Sequence, residues 1–188
     1  MMEKINQKID VNNLAVLFID VQTRVAAAME PEVKDLLVKN ARTLALAAGE
    51  LNLPIVMTEQ YSKGLGSTMD ELKEVLPAYN PIEKIQFNCC DEPEFMKALD
   101  ATGKKQVILC GMEAHVCLYQ TALGLLEKGY QVFIAGDAVS SRAKFNWRNS
   151  LENMRLAGAI VASTEMLVFQ MTTPLNRDLF KKISSWVK

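Results

Sequence analysis

Apolar and polar positions alternate in two different ways along the chain. Almost continuously apolar runs occupy residues 14–19, 53–58, 106–110, 131–135 and 158–162. Such runs are typical of strands that are covered on both faces, as in a parallel sheet. Between the runs, apolar residues recur at helical spacing, which predicts helices over residues 30–51, 71–76, 94–99, 118–128, 146–156 and 175–187. The segment 82–87 fits either a short strand or an extended stretch.

This alternation of strands and helices predicts an α/β fold built on a doubly wound parallel sheet of five or six strands. Right-handed crossovers bring the loops that follow the strands to one edge of such a sheet, where ligands gather in open α/β folds. No repeat, low-complexity segment or linker divides the sequence. We therefore expect a single domain over residues 1–188.

Composition narrows the classes of partner. The chain of 188 residues has a formal net charge of −1, so it lacks the basic surface typical of nucleic-acid binding. The sequence has no run of about 18 apolar residues, which is the length that a membrane span requires. Residues 1–11 mix charged and polar positions and lack the apolar core of a secretory signal. We therefore expect a cytoplasmic protein that binds neither nucleic acid nor membrane.

Cys117 is the best candidate for a nucleophile. It lies at the start of a predicted helix, just past the strand 106–110, and helix N-termini stabilise a thiolate. The alternative is that Cys117 is a small buried hydrophobe, as most unpaired cysteines are. His115 is the only histidine, but side chains two positions apart on a helix diverge. We therefore expect His115 in the pocket wall rather than as the base for Cys117.

Two other ionisable residues complete a nucleophile site that needs no histidine. Asp20 follows the first predicted strand, and Lys84 lies in the segment 82–87. Asp20 can take the proton of the thiol, and the ammonium of Lys84 can hold both partners in charged form. Taken singly, each residue has a simpler interpretation, because an aspartate after a strand is often a turn former and a lysine in an alternating segment is usually solvated.

Together these residues resemble the isochorismatase-like cysteine hydrolases. The resemblance rests on the apolar run that ends at Asp20 with Gln22 two positions on, on Lys84, and on Gly111 six positions before Cys117. It extends over residues 14–170, most of the chain. It implies a three-layer α/β sandwich with a six-stranded parallel sheet. It also implies a catalytic triad in which Asp20 is the general base, Lys84 the charge partner and Cys117 the nucleophile.

The resemblance implies an oxyanion site as well. Family members have a non-proline cis peptide bond four residues ahead of the cysteine, here between Met112 and Glu113. The backbone N–H groups of Glu113 and Cys117 would then point together at a developing oxyanion. Gln22, Gln60, Tyr61 and His115 are the candidate substrate contacts, and the alternative for each is a loop residue that faces water.

The departures from the family pattern bear on the chemistry. Nicotinamidase-type members hold a metal through an aspartate and several histidines that begin just after the second strand. Here that segment reads Glu59-Gln60-Tyr61-Ser62 and the chain has no second histidine, so we expect neither a metal nor a cofactor. Isochorismatases that cleave a vinyl ether do not need the cysteine. Its presence favours metal-independent hydrolysis of a C–N bond in a small amide, ureide or carbamoyl substrate through a thioester. Within the family, the segments 58–61, 63–66 and 113–117 look closest to the isochorismatase domain-containing subgroup.

A second hypothesis is a catalytically silent member of the fold that acts as an interaction or scaffold module. The apolar stripe of the last helix, with Leu175, Leu179, Ile183 and Trp186, motivates it. That helix either covers the domain or faces a partner, and the stripe and the family together predict a homo-oligomer. The adjacent Cys89 and Cys90 allow a redox role, although placement in a loop or a short helix start is the simpler interpretation.

Overall fold

The computed structural model describes residues 6–172 and 177–187. Six strands form its centre, namely β1 Leu14–Ile19, β2 Ile55–Gln60, β3 Ile82–Lys84, β4 Gln106–Met112, β5 Gln131–Ser140 and β6 Ile160–Ala162. They make one sheet in the order β3-β2-β1-β4-β5-β6, in which every neighbouring pair is parallel. The predicted α/β sandwich with a doubly wound, six-stranded parallel sheet is therefore confirmed.

Helices cover both faces of this sheet. In chain order they are α1 Thr23–Ala26, α2 Pro31–Glu50, α3 Ser62–Leu65, α4 Asp70–Lys73, α5 Pro93–Ala101, α6 Cys117–Glu127, α7 Lys144–Leu156, α8 Thr164–Met171 and α9 Arg177–Trp186. Short 3-10 helices span Val11–Asn13 and Cys89–Asp91. Proline at the first position of α2 and of α5 suits a helix start, because its missing N–H has no intrahelical acceptor there.

The central strand β1 explains the three layers. All six of its residues are buried, and successive side chains of a strand point to opposite faces. Leu14, Val16 and Phe18 pack in one core with residues of α2, α8 and α9. The odd-numbered residues between them pack in a second core with residues of α5, α6 and α7. A continuous apolar run is therefore what this position in the sheet requires.

The boundaries of the elements differ from the predictions mainly where strands end. Strand β1 matches its predicted range, whereas β2 continues to Gln60 and β5 continues to Ser140. Strand β5 extends because it pairs with β4 again beyond a register shift between Leu109 and Gly111. Hydrogen bonds to a neighbouring strand carry these polar extensions, and apolar periodicity does not report them. The segment 82–87 is a strand only over its first three residues.

The last helix packs onto the domain. In α9, the side chain of Ile183 is fully buried, and Leu179 and Trp186 pack against the same core as α2. Leu175, which the sequence also placed on this stripe, lies outside the described residues. Of the two alternatives for this helix, the structure shows the covering one. In the part of the chain that the structure describes, no helix combines the length and the apolarity needed to cross a bilayer.

Gly111 marks a close approach between β4 and β1. Its φ is +135°, and a Cβ atom there would collide with the backbone of Ile19, its partner in the sheet. Only glycine fits both conditions, because it tolerates positive φ and has no side chain. The close contact lies at the carboxyl ends of both strands, one residue before Asp20.

We expect Gly111→Ala to lower the free energy of unfolding by at least about 3 kcal/mol, because it adds a collision to an unfavourable backbone angle. Gly103→Ala is the matched control, since Gly103 also has positive φ but no heavy atom within 4 Å of a Cβ. That change should cost only about 1–2 kcal/mol. Urea denaturation of both variants measures the difference. Equal losses would contradict the close packing of β4 on β1.

Candidate active site

Three ionisable side chains meet at the carboxyl edge of the sheet. Asp20 directly follows β1, Lys84 is the last residue of β3, and Cys117 is the first residue of α6. Asp20 has φ +51°, a left-handed conformation that aspartate adopts more readily than most residues. The exposed fractions are 1 % for Asp20, 1 % for Lys84 and 6 % for Cys117. The three residues are therefore shielded from bulk water.

Asp20 and Lys84 form a buried ion pair. The Nζ of Lys84 donates to Oδ2 of Asp20 at 2.7 Å, to Oε1 of Gln60 at 2.6 Å and to the carbonyl oxygen of Gln86 at 3.2 Å. The hydroxyl of Thr58 donates to Oδ1 of Asp20 at 2.7 Å. The ammonium thus makes three hydrogen bonds, and each carboxylate oxygen accepts at least one. These bonds offset the cost of taking two charges out of water.

The thiol of Cys117 is held in its neutral form. Burial raises the pKa of Cys117, and the charge of Asp20 together with a hydrogen bond to it raises that pKa further, while the charge of Lys84 lowers it. Burial lowers the pKa of Lys84, but the net shift is upward, chiefly because of the charge of Asp20. We expected the helix start to favour a thiolate, but burial and Asp20 outweigh that effect. The site is a thiol beside a carboxylate base.

The backbone beside Cys117 offers two N–H groups. The peptide bond between Met112 and Glu113 is cis. Among the described residues, neither the N–H of Glu113 nor that of Cys117 donates to a backbone acceptor. The N–H of Cys117 lies in the first turn of α6, where the helix supplies no acceptor. These groups are free to bind a ligand oxygen, and their joint role as an oxyanion site stays a prediction.

A cavity of about 250 Å³ opens onto these groups. Of the predicted site residues, Asp20, Gln60, Glu113 and Cys117 line it, while Lys84 lies behind Asp20. The rest of the wall is mostly apolar and carries two arginines. The thiol and its neighbouring base therefore lie at the wall of a small cavity that is partly open to solvent.

Three predicted substrate contacts lie away from this cavity wall. Gln22 is fully buried, and its amide donates to the carbonyl oxygen and accepts from the N–H of Gln60, so it braces the strand end. Tyr61 has φ +37° and is 52 % exposed beside a different depression. The Nδ1 of His115 lies 2.9 Å from the hydroxyl of Ser141. Their roles in substrate binding stay predictions.

Other residues of the site gave little signal in the sequence. Thr58 holds Asp20, but a single threonine at the end of an apolar run has many interpretations. The guanidinium of Arg142 pairs with the carboxylate of Glu113 at 2.6 Å, and Arg24 lies on α1 at the cavity wall. Both arginines closely follow a strand end, and that position was the only available signal for them.

Cys89 and Cys90 form part of a short 3-10 helix, one of the placements that the sequence allowed. Both are buried, and burial raises the pKa of Cys89 to about 11 and that of Cys90 to about 12. The Sγ of Cys89 lies 4.0 Å from the hydroxyl of Thr58, directly behind the ion pair. Unlike Cys117, neither thiol lines the cavity at the sheet edge, which favours the structural interpretation over the redox one.

The carboxyl end of β2 does not suit a metal. The carboxylate of Glu59 accepts from the N–H of Thr68 at 2.6 Å, from its hydroxyl at 2.8 Å and from the hydroxyl of Tyr79 at 2.6 Å. Glu59 thus holds the loop that follows β2. Over residues 6–172 and 177–187, no group of three or more His, Cys, Asp or Glu side chains is arranged to hold a metal ion.

Known proteins share both the sequence and the fold. The sequence model of the isochorismatase domain family matches residues 14–166 of this chain. The secreted isochorismatase effector Isc1 of Phytophthora sojae is 38% identical over 155 residues, which cover 80% of this chain and 74% of that protein. Isochorismatase domain-containing protein 2A of Mus musculus is 37% identical over 153 residues, which cover 81% of this chain and 72% of that protein.

Solved structures agree. The MAR1 ribonuclease of Caenorhabditis elegans has a TM-score of 0.88 at 34% identity, covering 96% of this chain and 92% of that one. YcaC of Pseudomonas aeruginosa, with hexane-2,5-diol and covalent acrylamide, has a TM-score of 0.82 at 26% identity, covering 99% of this chain and 100% of that one. The Escherichia coli YcaC gene product, an octameric hydrolase of unknown specificity, has a TM-score of 0.79 at 27% identity, covering 98% of each chain. This chain belongs to the isochorismatase family.

Proposed function

We propose that this protein is a metal-independent cysteine hydrolase that cleaves a C–N bond in a small amide, ureide or carbamoyl substrate. One observation carries the proposal. The carboxylate of Asp20, which forms an ion pair with the buried Lys84, also raises the pKa of the Cys117 thiol, and Asp20 and Cys117 both line a small cavity. A structural role alone does not require a buried acid, a buried base and a thiol to meet at one point.

The first half-reaction forms a thioester. Asp20 accepts the proton of Cys117, and the thiolate sulfur attacks the carbonyl carbon of the substrate. The N–H groups of Glu113 and Cys117 donate to the carbonyl oxygen as it becomes an oxyanion. When the C–N bond breaks, the protonated Asp20 returns its proton to the leaving nitrogen. Lys84 remains charged throughout and stays paired with the carboxylate of Asp20 at the start of each cycle.

The second half-reaction consumes water. Asp20 takes a proton from a water molecule, whose oxygen attacks the thioester carbonyl. The C–S bond breaks, the sulfur recovers the proton from Asp20, and the acid product leaves. The neutral thiol of the resting site fits this cycle, because the proton moves to Asp20 only when a substrate carbonyl is in place.

The relatives support the general class. The Escherichia coli structure is described as a hydrolase, and the Pseudomonas aeruginosa structure carries covalent acrylamide, which favours a reactive nucleophile in this fold. The worm neighbour is described as a ribonuclease. For this chain, a cavity of about 250 Å³ and a net charge of −1 favour a small substrate over RNA.

Assembly and compartment are also proposals. A neighbour in this fold is octameric, so we propose that this chain forms a homo-oligomer. We also propose a cytoplasmic location, although one relative is described as a secreted effector. The alternative function, a silent scaffold, receives less support. A buried ion pair is often less stable than apolar residues of the same size, and a scaffold would not need one beside a thiol.

The charges in the site predict the sign of a pKa change in Asp20→Asn. Asp20 raises the pKa of Cys117 and Lys84 lowers it, so removing the carboxylate charge should lower that pKa by roughly 1–3. Hydrolysis should be lost even though the thiol ionises more readily, because the base is gone. The pH dependence of Cys117 alkylation by iodoacetamide, followed by peptide mass spectrometry, measures the change.

Two further variants calibrate that measurement. Lys84→Met should raise the pKa of Cys117, and it should cost about 3–5 kcal/mol of stability by leaving Asp20 buried and unpaired. Lys97→Met breaks an exposed ion pair with Glu94 and should leave the alkylation profile unchanged. An unchanged or raised pKa of Cys117 in folded Asp20→Asn would refute the assignment of Asp20 as its neighbouring base.

Cys117→Ala should lower turnover by roughly 10⁴-fold or more for any amide, ureide or carbamoyl compound that the wild type hydrolyses. Ammonia release across a panel of such compounds measures turnover, and intact-protein mass spectrometry under rapid quench detects the acyl adduct. Cys110→Ala is the matched control, because Cys110 is a buried cysteine in the opposite core. Equal turnover by purified wild type and Cys117→Ala would rule out the proposed nucleophile.

A further inference from the structure

The charges around the cavity do not balance. Asp20 is neutralised by Lys84, and Glu113 is neutralised by Arg142, whose guanidinium lies 2.6 Å from its carboxylate. Arg24 also lines the cavity, yet none of the ion pairs in the described part of the chain includes it. The cavity wall therefore carries one unbalanced positive charge, and it belongs to Arg24.

The position of Arg24 is set by the fold. It lies on α1, four residues after Asp20, and its Nη1 donates to the carbonyl oxygen of Gly64 on α3 at 2.8 Å. Gln22, just before α1, bonds to the backbone of Gln60 and of Gly66 and so ties the two loops together. A guanidinium has several further N–H donors. Arg24 is exposed, and among the described residues its guanidinium donates only to Gly64, so its other donors can reach a ligand in the cavity.

The rest of the wall limits what the ligand can be. Val25, Leu65, Phe87 and Val116 line the same cavity as the arginine and the thiol. These side chains suit a short hydrocarbon linker and offer no hydrogen bonds. The volume of about 250 Å³ accommodates a molecule of a few heavy atoms. A single unbalanced cation matches a monoanion, and the planar fork of arginine matches a carboxylate.

We infer that the substrate is a small amide or carbamoyl compound that carries a carboxylate, and that Arg24 binds this carboxylate while Cys117 attacks the carbonyl at the other end. This inference rests on the proposed function for the chemistry at Cys117. Arg24 is the residue that distinguishes such a substrate from a neutral amide of the same length.

Succinamate and butanamide test the inference, because they differ only by a carboxylate in place of a methyl group. In the wild type, kcat/KM for ammonia release should be at least about tenfold higher for succinamate, the worth of a charge-assisted hydrogen bond. Arg24→Gln should bring the ratio of the two kcat/KM values close to one. Arg24→Lys should restore part of it. Arg148→Gln removes an exposed arginine of α7 outside the cavity and should keep the wild-type ratio.

A binding measurement separates this inference from the proposed function. In Cys117→Ala, succinamate should raise the melting temperature and butanamide should not, and the additional change Arg24→Gln should abolish the shift. If succinamate binds through Arg24 but the wild type hydrolyses neither amide, the inferred carboxylate site would stand and the proposed hydrolysis would be wrong. Hydrolysis that depends on Cys117 with equal kcat/KM for both amides, or no binding of succinamate, would overturn the inference.

Discussion

The ion pair between Lys84 and Asp20 is the interaction on which the rest of the site depends. Both side chains are almost completely buried, so neither charge is stable there without the other. The pair also joins two strands that are not neighbours, because β2 lies between β1 and β3. Thr58 and Gln60 of β2 complete the hydrogen bonds to the carboxylate and to the ammonium. The short edge strand β3 is therefore held in place by the side-chain bonds of Lys84 as well as by its backbone pairing with β2.

The same pair determines the state of the nucleophile. A carboxylate beside a thiol opposes its ionisation and a lysine promotes it, and here burial adds to the effect of the carboxylate. Catalysis in such a site uses a base that removes the proton during attack, in contrast to sites that store a thiolate. Gly111 contributes to the geometry, since the close approach of β4 to β1 brings Cys117 toward Asp20.

The apolar runs predicted five of the six strands, because a strand buried on both faces has few alternatives. Strand β3 lies in the alternating segment 82–87, which fitted either a strand or an extended stretch, and the count of six strands came from the family resemblance. The triad residues were predicted from three short motifs and a family resemblance, and the structure brings Asp20, Lys84 and Cys117 together at one sheet edge. The loops were less predictable. Gln22 bonds to the backbone of Gln60 and Tyr61 does not line the cavity, because loop conformation depends on tertiary hydrogen bonds that periodicity does not encode. Thr58 and Arg24 were missed for the same reason, since each acquires its role only from a distant partner.

The protonation state of Cys117 in the resting protein tests the central claim most directly. The S–H stretch in the infrared difference spectrum between wild type and Cys117→Ala isolates this thiol from the other three cysteines. A thiol beside an ionised Asp20 predicts an S–H band at neutral pH that shifts on exchange into deuterium oxide. The absence of that band at neutral pH would mean that the wild type holds a thiolate, and it would contradict a site in which Asp20 is the base.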